Sequence, residues 1–192
     1  MGYFGYGNSG DEAILACLVD RLRALGVADR LIIFTAEPEA TAALHGVRAV
    51  HGIHAPSPSA YLRGFLGRNR QRFVSTLKAF RSCDTIIIGG GGLLLDRPTT
   101  ARYLLELLAK VEWAIRLGKR VIVLGVGIGP LYLAPSRIRL RDVLNKVEII
   151  SVRDADSRAL LEEIGVTRPE LHTTADFAFL LEPASTTRTD EL

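Results

Sequence analysis

Cysteine is scarce in this sequence of 192 residues, which contains only Cys17 and Cys83. Both lie among apolar residues, one within a helical pattern and one just before a strand pattern. This setting indicates small buried side chains in a reducing compartment and argues against a disulfide framework.

Long apolar runs are also missing from the chain. The longest candidate, residues 103–117, is interrupted by four charged side chains. It therefore falls short of the roughly 20 apolar residues that cross a bilayer. No signal-peptide pattern opens the chain. We therefore expect a cytoplasmic protein, and the inner face of the membrane is a further location that the sequence leaves open.

Strong net charge of either sign is absent as well. The net charge is +3 and the pI is near 9.1, a mild excess that suits an anionic small molecule and is too weak to argue for nucleic acid. One local exception is a run of arginines without acidic neighbours, Arg63, Arg68, Arg70 and Arg72. This run is either a solvated helix face or a surface for membrane headgroups or an anionic acceptor.

A metal-binding pattern is missing too. His45, His51 and His54 have spacings that lie outside any compact regular element, and no cysteine or acidic cluster joins them. A zinc site needs several such ligands converging on one point. We therefore expect no metal site.

Glycine, by contrast, is plentiful, and its first cluster opens the chain between Gly2 and Glu12. Glycines allow positive φ and close approach to a ligand, and a helical apolar pattern begins directly after the loop. A helix N-terminus suits an anion, so we hypothesise that the loop holds a phosphate, a carboxylate or a sugar ring. The alternative is a plain tight turn with a capped helix. We expect Asp11 to cap that helix and Asn8 to face the ligand, and we place both in the substrate-binding site together with Gly5, Gly7 and Gly10.

The rest of the chain alternates between apolar strand patterns and helical patterns with short links. This alternation predicts an α/β fold with a mostly parallel sheet between layers of helices. The strand patterns fall at residues 31–35, 47–50, 84–88, 120–124, 147–152 and 172–175. We place one domain at residues 1–183 and a linker or tail at 184–192, and we expect a first strand, missing here, before the opening loop.

Unusual residues follow the strand patterns at their carboxyl ends. In an open parallel sheet the ligand crevice lies outside those ends, so we expect the loops to converge on one rim. The candidate rim residues after the later strands are Gly90, Gly91, Gly92, Asp96, Gly127, Gly129, Arg153, Asp154 and Asp176.

One competing interpretation concerns the opening loop. Residues 5–10 match the pattern G-x-G-x-x-G, and Glu37 lies near the end of the next strand, where a ribose-binding acid would sit. An oxidoreductase that binds NAD(P) is therefore the alternative. We rank it lower, because that fold needs no further glycine clusters after two other strands.

Taken together, the motifs resemble the polysaccharide pyruvyl transferase family. The matching segments are GYFGYGNSGDEAIL at 2–15, CDTIIIGGGGLLLD at 83–96, GKRVIVLGVGIGPL at 118–131, EIISVRDADSRALLEEIGV at 148–166 and TTADFAFLL at 173–181. The resemblance implies transfer of a pyruvyl group from phosphoenolpyruvate to a sugar of a cell-surface polysaccharide or its lipid-linked precursor, as a ketal, without a cofactor. It also implies a Rossmann-like N-terminal half of a two-domain architecture similar to GT-B glycosyltransferases, with a C-terminal domain that this chain lacks.

The reaction needs cationic groups for the donor and a base for the acceptor hydroxyl. We expect Arg153 to bind phosphoenolpyruvate, with an ion pair to Asp156 or Asp176 as the alternative. We expect Asp96 to act as base or acceptor anchor, with a cap for a helix near Thr99 as the alternative. Asp154 could be purely a helix cap. A non-catalytic glycan-binding half-domain is the third functional class.

Overall fold

The apolar runs of the sequence form a parallel sheet. A computed structural model describes residues 1–52, 66–67 and 70–181. All pairings between its named strands are parallel, as the unbroken apolar strand patterns predict for a sheet covered on both faces. The strands are β1 Ile32–Thr35, β2 Arg48–His51, β3 Thr85–Gly89, β4 Gly92–Leu94, β5 Arg120–Ile128, β6 Ile149–Val152 and β7 Glu170–Thr173.

Helices connect the strands and flank the sheet, so the predicted Rossmann-like three-layer sandwich is confirmed. The helices are α1 Ser9–Ala24, α2 Pro38–His45, α3 Arg70–Ser82, α4 Arg102–Arg116, α5 Ala134–Leu144 and α6 Ala155–Glu163, and short 3-10 turns lie at Ala28–Arg30 and Phe177–Leu180. Helix α4 shows why these segments fold as they do. Its buried Leu104, Leu107, Leu108 and Val111 recur at helical spacing and form one apolar stripe. Each such side chain contributes roughly 1.5–3 kcal/mol when fully buried.

The first four residues lie between two groups of strands. The Met1 amine donates to the Ile87 carbonyl at 2.5 Å, and Gly89 N donates to the Met1 carbonyl at 3.0 Å, which ties the start of the chain to β3. On the other side, Ala36 N donates to the Phe4 carbonyl at 3.0 Å, just after β1. The spatial order is therefore β2, β1, the first four residues, β3, β5, β6 and β7, with β4 also paired to β5.

This order places a topological switch point beside the opening loop. From the first four residues the chain moves outward through α1 to β1, whereas from β3 it moves the other way through α4 to β5. Right-handed crossovers then put α1 and α4 on opposite faces of the sheet. A crevice opens between such loops at the carboxyl ends of the strands, which is where open parallel sheets bind ligands.

Strand β5 differs from the sequence prediction. The glycine pattern after residue 124 was predicted to be a loop, but the strand continues to Ile128 through Gly125 and Gly127. Gly125 has φ +59, and the pairing of β5 with β6 shifts register there, so the strand bends without ending. Gly127 then pairs with Gly92 of β4, a short strand that the sequence patterns did not predict. The last strand also begins and ends two residues earlier than predicted.

Several predictions concern parts of the chain that are only partly described. Arg70 and Arg72 lie at the start of α3, whereas Arg63, Arg68 and His54 lie outside the described residues, as do residues 182–192. The proposed contact of these arginines with a membrane stays a prediction. No helix among the described residues is long and apolar enough to cross a bilayer.

Gly90 tests how closely β3 and α1 must approach. A Cβ at this position would lie 2.5 Å from Cγ2 of Ile14, and the backbone has φ +84. We expect Gly90→Ala to lower the free energy of unfolding by about 2–5 kcal/mol, since the left-handed backbone costs about 1–2 and overpacking about 1–3. Gly118→Ala is the matched control, because Gly118 has φ +71 with nothing within 4 Å of its Cβ position. Equal losses in urea denaturation for both variants would contradict the close contact.

Candidate active site

A cavity of about 870 Å³ opens at the switch point. Its walls come from the opening loop, the start of α1, the residues after β3 and β4, the start of α4, and the residues after β6 and β7. Of the predicted site residues, those that line it are Asn8, Gly10, Asp11, Gly91, Gly92, Asp96, Arg153 and Asp176. The convergence of these strand-end residues on one cavity agrees with the parallel-sheet argument.

Glycines after β3 bring one wall of the cavity close to another. A Cβ at Gly91 would lie 2.5 Å from Oδ1 of Asp11, and a Cβ at Gly90 would meet Ile14 at the same distance. Both glycines have positive φ, +84 at Gly90 and +65 at Gly91. The four-glycine run therefore serves both a tight turn and a close approach, and it seats the Asp11 carboxylate against the end of β3.

The opening loop is organised differently from the sequence prediction. Asn8 caps α1, because its Oδ1 accepts from Gly10 N at 3.1 Å, so the assignment of Asp11 as the cap was wrong. Asn8 Nδ2 instead donates to Asp11 Oδ2 at 2.6 Å. Glu12 Oε1 accepts from Gly5 N at 2.6 Å. The carboxylates of Asp11 and Glu12 thus lie at the opening loop. Because carboxylates accept hydrogen bonds, this arrangement favours ligand hydroxyl groups, which can donate, over a phosphate.

Asp11 is a buried carboxylate, with only 8% of its surface exposed. Burial raises its pKa, the nearby Glu12 and Asp176 raise it further, and the hydrogen bond from Asn8 opposes the shift. A carboxylate of raised pKa that faces a cavity can accept a hydroxyl proton more readily than an ordinary aspartate. The structure therefore adds a candidate base that the sequence interpretation had treated as a helix cap.

Arg153 comes directly after β6 and brings a positive charge to the cavity. Its guanidinium lies against Gly127, where a Cβ would be 2.7 Å from Nε. Nη1 donates to Asp176 Oδ2 at 3.2 Å, and Nε lies 3.4 Å from Asp154 Oδ2. The ion pair with Asp176, which was the alternative to donor binding, is therefore present, and donor binding by Arg153 stays a prediction. With 39% of the side chain exposed, the guanidinium also lines the cavity.

Asp154 lies just outside the cavity and caps α6. Its Oδ1 accepts from Ser157 N at 2.7 Å, as the capping alternative predicts. Burial raises the pKa of Asp154, but the hydrogen bonds from Ser157 and the charge of Arg153 outweigh burial, so the net shift is downward. Asp154 therefore stays ionised and helps to hold the Arg153 side chain.

Asp96 is already engaged by the backbone. Tyr132 N donates to its Oδ1 at 2.6 Å and Leu133 N to its Oδ2 at 3.1 Å, and only 3% of the residue is exposed. The carboxylate thus anchors the segment that leads into α5, and the alternative of a cap near Thr99 was wrong. These bonds make Asp96 a support for the cavity wall.

The remaining predicted glycines shape the backbone around the cavity. Gly5, Gly7, Gly90, Gly127 and Gly129 do not line it. A Cβ at Gly5 would lie 2.2 Å from Thr35 Oγ1, and a Cβ at Gly129 would lie 2.8 Å from Leu160 Cδ2. Gly5 and Gly129 therefore allow close packing between elements, whereas the Cβ position of Gly7 has nothing within 4 Å and its φ is +73. Within the part of the chain that the structure describes, no group of three or more His, Cys, Asp or Glu side chains could hold a metal ion.

Comparison with known proteins decides the family. A model of the polysaccharide pyruvyl transferase family matches residues 8–192. The chain belongs to the polysaccharide pyruvyl transferase family. A search of curated proteins found no significant match. The match to the family model confirms the resemblance inferred from the glycine motifs.

The sequence interpretation of this pyruvyl transferase family member missed Tyr3, Tyr103, Arg97 and Arg102, which line the cavity, and Tyr6, which stacks on Tyr3. Tyr3 and Tyr6 stack with ring centroids 4.2 Å apart, and the Tyr103 ring lies edge-on to Tyr3 at 6.2 Å. Arg97 and Arg102 also line the cavity. Tyrosines within a glycine loop were a usable signal for the first pair, whereas only the fold brings Tyr103 beside them.

Asp11→Asn tests the electrostatic cost of the buried carboxylate. The folded-state pKa of Asp11 lies above its ordinary value of 3.8, so the ionised form destabilises the fold at neutral pH. We expect the variant to raise Tm by a few degrees at pH 7, and the gain to vanish as pH falls to 3.8 and below, where both states bind the proton. Asp20→Asn, an exposed site on the same helix, is the control. A lower Tm for Asp11→Asn at both pH values would contradict the assignment.

Proposed function

We propose that the enzyme transfers a pyruvyl group from phosphoenolpyruvate to a sugar of a cell-surface polysaccharide or of its lipid-linked precursor, forming a cyclic ketal. The observation that carries the proposal is that Arg153 and the buried Asp11 line the same strand-end cavity. An exposed guanidinium suits an anionic donor, and a desolvated carboxylate suits a hydroxyl acceptor. Membership of the family supports the same reaction.

The donor is a good match for the Arg153 side of the cavity. Phosphoenolpyruvate carries a carboxylate and a phosphate, and a planar guanidinium binds either group through two parallel hydrogen bonds. Asp176 and Asp154 restrain the guanidinium, which packs against Gly127 because that residue has no Cβ. Such restraint reduces the rotamer entropy that donor binding would otherwise cost.

The reaction balances with one proton donor and one proton acceptor at the centre. A proton adds to the methylene carbon of phosphoenolpyruvate, and one sugar hydroxyl oxygen bonds to C2 while losing its proton. The C2–O bond to phosphate then breaks, and the second hydroxyl closes the ketal as its proton leaves with the phosphate. Arg153 offsets the negative charge on the donor throughout.

A nicotinamide cofactor fits the opening loop poorly. The pyrophosphate of such a cofactor binds at a helix N-terminus of the G-x-G-x-x-G type. Here the Glu12 carboxylate already accepts from Gly5 N, and the buried Asp11 carboxylate lies in the first turn of the helix. A pyrophosphate would therefore meet two negative charges. The oxidoreductase interpretation is dropped for this reason.

Arg153→Ala tests the donor site. We expect the KM for phosphoenolpyruvate to rise about 10- to 100-fold, because a charge-assisted hydrogen bond contributes roughly 1.5–3 kcal/mol. Transfer is followed with the full-length protein, a glycan acceptor and phosphoenolpyruvate labelled with ¹³C at C2. Phosphate release and the new ketal carbon are then read by NMR.

Arg120→Ala is the matched control for this experiment. Arg120 pairs with Glu148 on the surface at the start of β5, at the amino ends of the strands and away from the cavity. Removal of the Arg120 side chain should therefore leave KM unchanged. An unchanged KM in Arg153→Ala would remove Arg153 from the site.

No ketal together with saturable NADH binding would overturn the proposed function, and sugar binding without any turnover would favour the non-catalytic alternative.

A further inference from the structure

Three tyrosines form a cluster with much of their surface exposed, and two of them, Tyr3 and Tyr103, line the cavity. Tyr3 is 39% exposed, Tyr103 43% and Tyr6 58%. Removing the apolar area of aromatic rings from water lowers the free energy. A ring cluster left exposed beside a polar cavity is therefore well suited to packing against a ligand. A pyranose matches it, because the C–H face of the sugar packs on a ring while its hydroxyl groups reach polar neighbours.

The tyrosine cluster is held in place by the fold. Tyr3 follows Gly2, where a Cβ would lie 2.5 Å from the ring of the buried Phe4, so this stretch of backbone is packed tightly against the sheet. Tyr6 stacks on Tyr3 with an angle of 14° between the rings. Tyr103 comes from the first turn of α4 and meets Tyr3 edge-on at 77°. A preorganised aromatic surface loses little entropy when a ligand covers it.

The polar partner of the cluster is Asp11. Its Oδ2 accepts from Asn8, whereas no described residue donates to its Oδ1, which lies beside Gly91, another residue that lines the cavity. Although Tyr103 is partly exposed, partial burial raises its pKa to about 12, with the negative charge of Asp11 as the next cause. The Tyr103 hydroxyl therefore stays protonated at physiological pH and can donate a hydrogen bond near the carboxylate.

We propose that Tyr3 and Tyr103, together with the carboxylate of Asp11, form the subsite that binds the acceptor pyranose. This inference rests on the proposed function. The sugar ring packs against the tyrosines, and one of its two reacting hydroxyls donates to Asp11 Oδ1. As that hydroxyl oxygen bonds to C2 of the donor, its O–H bond breaks and the proton passes to Asp11. Asp11 later releases this proton to water, while the proton of the second hydroxyl leaves with the phosphate.

The subsite is tested by binding and by kinetics. Saturation-transfer NMR on the full-length protein uses the methyl pyranosides of galactose, glucose and mannose as probes, without donor or turnover. We expect saturation transfer to at least one of them, and its loss in Tyr3→Ala and in Tyr103→Ala. In the transfer assay these variants should raise the acceptor KM at least 10-fold and leave the KM for phosphoenolpyruvate unchanged.

Asp11→Asn should separate orientation from proton transfer. We expect kcat to fall about 10²- to 10⁴-fold, the range for loss of a general base, while pyranoside binding persists. The acid limb of the pH profile of kcat/KM should also disappear in this variant. Tyr132→Ala is the matched control, because Tyr132 is 58% exposed and does not line the cavity.

The outcomes distinguish the subsite from the reaction. Pyruvyl transfer with an unchanged acceptor KM and unchanged saturation transfer in both tyrosine variants would overturn the subsite and leave the proposed function standing. Pyranoside binding that the tyrosine variants abolish, without any pyruvyl transfer, would support the subsite and overturn the proposed function. Saturation transfer to none of the pyranosides would overturn the subsite as well.

Discussion

The close contact between the end of β3 and the start of α1 sets the geometry of the cavity. Only glycines fit at positions 90 and 91, because Ile14 and Asp11 occupy the space that a Cβ would need. The contact fixes the distance between two neighbouring loops at the switch point of the sheet. It also removes the Asp11 carboxylate from bulk water, which raises its pKa. The same close contact therefore both shapes the cavity and raises the pKa of Asp11.

A second consequence of the sheet order is the separation of charge within the cavity. The loop that enters α1 brings carboxylates, whereas the end of β6 brings Arg153. An enzyme that joins an anionic donor to a sugar hydroxyl benefits from this arrangement, because a guanidinium donates hydrogen bonds to the anion and a carboxylate accepts one from the hydroxyl. Asp176 links the two regions, since it pairs with Arg153 and also raises the pKa of Asp11.

Much of this was accessible from sequence patterns, and the failures have physical reasons. Arg153 and Asp176 could be placed at one rim, because the carboxyl ends of parallel strands share an edge. The roles of Asn8 and Asp11 were exchanged, because both residue types cap helices with similar free energies and only the backbone path decides between them. Asp96 looked available from sequence, but its bonds to the backbone at 132 and 133 depend on tertiary structure. Tyr103 is about 100 residues from Tyr3, and no local pattern joins such distant residues.

Donor and acceptor should occupy different sides of one strand-end cavity. A crystal structure of the full-length protein with phosphoenolpyruvate bound would reveal where the donor lies. We expect the carboxylate or phosphate of the donor on the guanidinium of Arg153, with the contact from Gly5 N to Glu12 intact. A donor phosphate bound at the N-terminus of α1, with the Glu12 carboxylate displaced from Gly5, would contradict it.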